Sequence, residues 1–108
     1  MKVKSEQTGA RLTVYLEGEL DHHAARKAAA EIADAVDSAL PRELVLNLEG
    51  LTFMDSSGIA VILKSQRSMR EIDGTIQVRG IRGQPLKVYE ASGIARIIEN
   101  RVRQEVEV

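Results

Sequence analysis

Residues 44–63 decide the fold: Leu44-Val45-Leu46-Asn47-Leu48-Glu49-Gly50-Leu51-Thr52-Phe53-Met54-Asp55-Ser56-Ser57-Gly58-Ile59-Ala60-Val61-Ile62-Leu63. Leu44 to Leu48 is nearly continuous apolar sequence broken only by Asn47, the pattern of a central strand covered on both faces. A tight turn then delivers Asp55-Ser56-Ser57-Gly58 to the start of a helix. Short polar side chains suit that junction, because their oxygens accept hydrogen bonds from first-turn N–H groups that have no partner inside the helix. An added phosphate would also be at ease there, facing free amides and the positive end of the helix dipole. One cap satisfies the junction, yet three candidates stand together, and Gly58 removes steric cover from the neighbouring hydroxyl.

Outward from this segment the chain reads as alternating strands and helices. Val3 begins an extended run that turns at Gly9-Ala10, and Leu12, Val14 and Leu16 then alternate with Arg11, Thr13, Tyr15 and Glu17. That period of two marks a half-buried strand, so the two runs form a hairpin. Asp21 ends the second strand and caps a helix over residues 23–39, with Ala24, Ala25, Ala28, Ala29, Ile32, Val36 and Ala39 spaced by three and four. Its alanines allow close packing but add little area, so Ile32, Val36 and Leu40 are the expected anchors. Downstream of Ser57, the residues Ile59, Ile62, Leu63, Met69 and Ile72 line one side of a helix that Asp73-Gly74 stops. Thr75 to Arg79 reads as another strand, and Pro85 opens a helix that Leu86, Val88 and Tyr89 pin to the core before Ser92-Gly93. Ile94, Ile97 and Ile98 suggest one more helical turn, and Arg101 to Val108 reads as an edge strand or a frayed end. The expected fold class is α/β, a mixed sheet of four to five strands packed with about four helices.

The bulk composition narrows the function. The 108 residues predict a single domain, 1–108, with one modest core. A net charge of −1 with both signs dispersed gives no basic footprint for nucleic acid and no polybasic membrane patch. Tyr15, Phe53 and Tyr89 are the only aromatic residues, so no row of rings offers bases a stacking platform. Without cysteine there are no disulfides, thiol nucleophiles or thiolate metal sites, and the adjacent His22 and His23 are poorly spaced to share a metal. No metal site and no cofactor are expected. The opening residues lack the apolar run of a signal peptide, and no stretch approaches the ~20 apolar residues of a membrane span, so a cytoplasmic protein is expected.

The wording of Leu44 to Leu63, together with Gly18-Glu19-Leu20-Asp21-His22-His23, resembles the anti-sigma factor antagonists of the STAS family, most closely the sporulation type. The resemblance covers residues 17–98 and implies the STAS fold. It implies phosphorylation of the second serine of Asp-Ser-Ser-Gly, which is Ser57. The surface offered to a partner would include Asp21, His22, Asp55, Ser56, Ser57, Gly58, Ser92 and Gly93. The partner implied is an anti-sigma factor that is also a serine kinase, with a metal-dependent serine phosphatase to reset the system and a sigma factor controlled indirectly. Such a protein is not an enzyme, has no catalytic residue of its own, and is expected as a monomer. A second reading keeps the fold and places it as a STAS module in a general-stress or scaffold signalling complex.

Two rivals fail on residues. Ser56-x-Gly58 after a strand is half of a nucleophile elbow, but Met54 stands where the elbow wants glycine, and His22 and His23 precede the serine where the α/β-hydrolase order puts histidine last. Gly80-Ile81-Arg82-Gly83 lacks the lysine and second half of a P-loop, so turn chemistry explains it.

Overall fold

The computed structural model describes residues 1–98. Its elements are β1 (Lys2–Thr8), β2 (Arg11–Leu20), α1 (His22–Ala39), β3 (Glu43–Asn47), β4 (Leu51–Met54), α2 (Ser56–Glu71), β5 (Thr75–Arg79) and α3 (Gly83–Ser92), after which residues 94–98 are helical again. The α/β class and the mixed five-stranded sheet therefore hold. The expected reading of Arg101 to Val108 lies outside the described residues.

The sheet is ordered β1-β2-β3-β5, with β4 pairing β2 off that path. The β1–β2 hairpin is antiparallel, turning through Gly9 in the left-handed region (φ 60°). The other pairings are parallel, and β2 divides its length between two partners. Arg11 to Tyr15 pair with β3, whereas Gly18 to Leu20 pair with β4, with a register shift between Gly18 and Glu19. Gly18 carries φ 108° and donates its N–H to the Gly50 carbonyl at 3.0 Å, so the bulge sits where glycine is needed.

The sequence suggested a tight turn between the Leu44–Leu48 strand and Asp55, with no further strand, and the structure corrects this by placing β4 at Leu51–Met54. The strand is short, and its burial runs buried, exposed, exposed, buried. That pattern lacks the alternation of two that announces a strand, and only long-range pairing with the far half of β2 creates it.

Leu44, Val45 and Leu46 are all buried, as a strand flanked by β2 and β5 requires. Asn47 finds its partner locally, its Oδ1 accepting from the Glu49 N–H at 3.1 Å. Ala28, Ile32 and Val36 bury one face of α1, which packs on β2 and against α2. Two expected anchors fail. Leu40 is 66% exposed, because it ends α1 in the left-handed conformation (φ 45°), and the backbone swings its side chain away from the helix's apolar stripe. Ile72 is 36% exposed for a related reason: it is the C-cap of α2, outside the helical repeat that buries Val61, Ile62 and Met69.

β4 would be an open edge, and α3 closes it with a side chain. The Gln84 amide donates to the Met54 carbonyl and accepts from the Met54 N–H, both at 2.9 Å, as a neighbouring strand would. Gln84→Ala is expected to cost about 1–2 kcal/mol, since two strand groups lose their partner. Urea unfolding measures the loss, and faster hydrogen exchange at the Met54 amide locates it.

Candidate partner-binding site

The rim of the site is built by one strand pairing. Leu20 and Met54 are opposite one another in the parallel β2–β4 ladder, and the next residue of each chain is an aspartate that opens a helix. Asp21 and Asp55 are both in extended conformation, as N-cap residues are. The Asp21 Oδ1 accepts from the Ala24 N–H at 2.9 Å, and the Asp55 Oδ1 accepts from the Ser57 N–H at 2.8 Å. The Asp55 N–H reaches back to the Leu20 carbonyl at 3.4 Å, joining the two helix starts.

The bond from Ala24 is the main reason that the Asp21 carboxyl lies below the ordinary carboxylate range, and the neighbouring His23 adds to it. A carboxyl whose folded pKa is depressed stabilises the fold above its unfolded pKa and loses that contribution as pH falls through the folded value. The stability advantage of the native chain over Asp21→Asn is therefore expected to be flat near neutrality. It should shrink below about pH 4. Urea midpoints of both chains at pH 7 and pH 3 check this.

Asp55 serves as the single cap, which leaves both serines spare. Ser56 is exposed and Ser57 is half-buried, and among the described residues neither hydroxyl has a hydrogen-bond partner. Their surroundings differ. Ser57 borders an open groove between α1 and α2, lined on the α1 side by His22, His23 and Arg26 and on the α2 side by Ala60 and Lys64, whereas Ser56 lies outside it. The two imidazoles are exposed and meet edge to face at 5.8 Å between ring centres.

A match to the STAS domain family model spans residues 2–108. The chain belongs to the STAS domain family. An anti-sigma F factor antagonist of Lysinibacillus sphaericus is 35% identical to this STAS chain over 83 residues, covering 77% of it and 71% of the relative. Two solved structures are similar along nearly the whole described fold. The anti-sigma factor antagonist SpoIIAA in its unphosphorylated form aligns with TM-score 0.66 and 28% identity, over 89% of this chain and 97% of that one. The Bacillus cell fate determinant SpoIIAA in the phosphorylated form aligns with TM-score 0.68 and 30% identity, over 87% and 86%.

Within this STAS fold the sequence-derived residues separate into groups. Asp21, His22, Asp55, Ser56 and Ser57 gather at the paired helix starts. Gly58 faces inward: it is buried, and a Cβ there would lie 2.3 Å from the Met54 Cγ and 3.1 Å from the Leu20 Cδ2. Close packing of α2 on the β2–β4 pair, more than exposure of a hydroxyl, explains this glycine. Ser92 and Gly93 have local work at the end of α3. Gly93 is left-handed (φ 77°), and the Ser92 hydroxyl donates to the Tyr89 carbonyl at 2.7 Å while accepting from the Ile94 N–H at 3.2 Å.

Sequence reading missed Arg26 and Lys64. The signal was available as spacing, since Arg26 follows His22 by four residues and Lys64 follows Ser57 by seven, each pair on one helical face. No helix among the described residues is long and apolar enough to cross a membrane.

Proposed function

We propose that the chain antagonises a serine-kinase anti-sigma factor by partner switching, with Ser57 as the phosphorylated residue. Unphosphorylated, it binds the anti-sigma factor through the start of α2 and the Asp21 turn, and a sigma factor is released. The Ser57 hydroxyl oxygen then attacks the γ-phosphorus of ATP. A bond forms between Oγ and phosphorus, the bond from phosphorus to the β–γ bridging oxygen breaks, ADP leaves, and the hydroxyl proton passes to a base of the kinase. The phosphorylated product dissociates, and a metal-dependent phosphatase restores the serine. ATP and metal belong to the partners; this chain acts in the cytoplasm as a single-domain monomer and contributes no catalysis.

One observation carries the assignment to Ser57. Asp55 alone satisfies the cap, leaving a hydroxyl with no partner among the described residues at the edge of an open groove, on a helix start where a phosphate is electrostatically welcome. The similarity to an anti-sigma F factor antagonist and to SpoIIAA in both phosphorylation forms supports the same reading.

The test is intact-mass and fragment-ion analysis after incubation with a kinase anti-sigma factor and ATP. One added phosphate on Ser57, lost in Ser57→Ala, is the expected result. A folded chain that takes no phosphate from any kinase in a panel would instead favour a STAS module acting in a general-stress or scaffold complex.

A further inference from the structure

The groove beside Ser57 has cations and no anions. Arg26 on α1 and Lys64 on α2 line it, and among the described residues no acidic side chain does. Asp21 and Asp55, which precede the two helices that border the groove, are engaged as helix caps. Among the described residues the ion pair is Arg11 with Glu43, on the sheet, so neither Arg26 nor Lys64 is neutralised by a salt bridge. Between them the groove is bordered by small residues, Ala29 and Ala60 among them, which leave the space open. Helical side chains lean toward the N-terminus of their own helix, a direction that carries the Lys64 stem toward Ser57.

From this arrangement we propose that Arg26 and Lys64 form a two-helix clamp for the phosphoryl group on Ser57. The inference rests on Ser57 being the phosphorylated residue. Two positive charges match the roughly −2 of a phosphoserine, and guanidinium and ammonium groups are the usual partners of phosphate oxygens. The clamp folds the new charge into the groove that the partner would otherwise enter. Phosphorylation then removes the two cations from the binding surface as well as adding negative charge to it.

The test needs no kinase. Phosphoserine is installed at position 57 by genetic encoding, and its phosphorus resonance is followed by NMR across pH in the native background and in the double variant Arg26→Gln, Lys64→Gln. Free phosphoserine has its second pKa at about 6, and the clamp is expected to lower it by about one unit. Asp21, Asp55, His22, His23 and the α2 amides are common to both chains, so their influence cancels in the difference. A rise of about half a unit or more in the double variant supports the clamp, and a smaller one overturns it. The exchange pair Arg26→Lys, Lys64→Arg should keep the native value, which a mere packing effect would not ensure. Because the phosphate is encoded, kinase labelling at a different serine would defeat the Ser57 assignment and leave this measurement standing, whereas Ser57 labelling with no rise would defeat the clamp alone.

Discussion

Ser57→Asp is expected, on the proposed switch, to weaken binding to a serine-kinase anti-sigma factor by about 30- to 1,000-fold, with unfolding nearly unchanged. The two halves of that expectation have different causes. Ser57 sits in the first turn of α2, at the positive end of the helix dipole, where an added carboxylate is tolerated or mildly stabilising. Its backbone N–H remains bonded to Asp55 whatever the side chain. The interface is less forgiving. A charge buried against a surface shaped for a small neutral hydroxyl loses hydration and meets no prepared counter-charge from the partner, at a cost of about 2–4 kcal/mol. Calorimetric titration of native and Ser57→Asp chains with the kinase, beside thermal unfolding of both, makes the comparison. Tight binding retained by the variant would count against a switch that works by charge at the contact.

The second large effect lies one residue further on. Gly58→Val is expected to destabilise the fold by about 3 kcal/mol, lowering the unfolding temperature by on the order of 10 °C. The Cβ position is 2.3 Å from the Met54 Cγ and 2.8 Å from its Sδ, and Met54 is fully buried with its main chain held by Leu20 and Gln84. The methionine side chain is packed in the core, so it has no free space to swing into. Thermal unfolding followed by circular dichroism reads the loss, and a native-like melting temperature would show that α2 can shift outward freely.

Much of this architecture could be read from the chain. The hairpin, both capped helix starts, the central strand and the left-handed glycine after α3 announce themselves through local rules of period and capping. What escaped was set by partners distant in sequence. β4 exists because β2 runs past its pairing with β3, and the Gln84 amide that closes its edge comes from 30 residues away. Leu40 and Ile72 continue an apolar pattern on paper, but each terminates its helix, and a cap residue no longer obeys the helical repeat. At the site, Asp21, Asp55 and Ser57 were legible as helix-start chemistry. Arg26 and Lys64 share helical faces with His22 and Ser57 in the sequence, but the groove that joins those two faces appears only once both helices are packed.

The single rung between Leu20 and Met54 has a mechanical meaning. Binding surfaces carried on loops can mould themselves to a partner, but here both helix origins follow from the same rung of one ladder, and their separation is that of neighbouring strands. A partner gripping this edge meets a fixed gauge, unable to widen or narrow. On the proposed switch, recognition is tuned by the side chains along the two helices, and a phosphate can be added or erased there while the spacing of the helix origins stays constant.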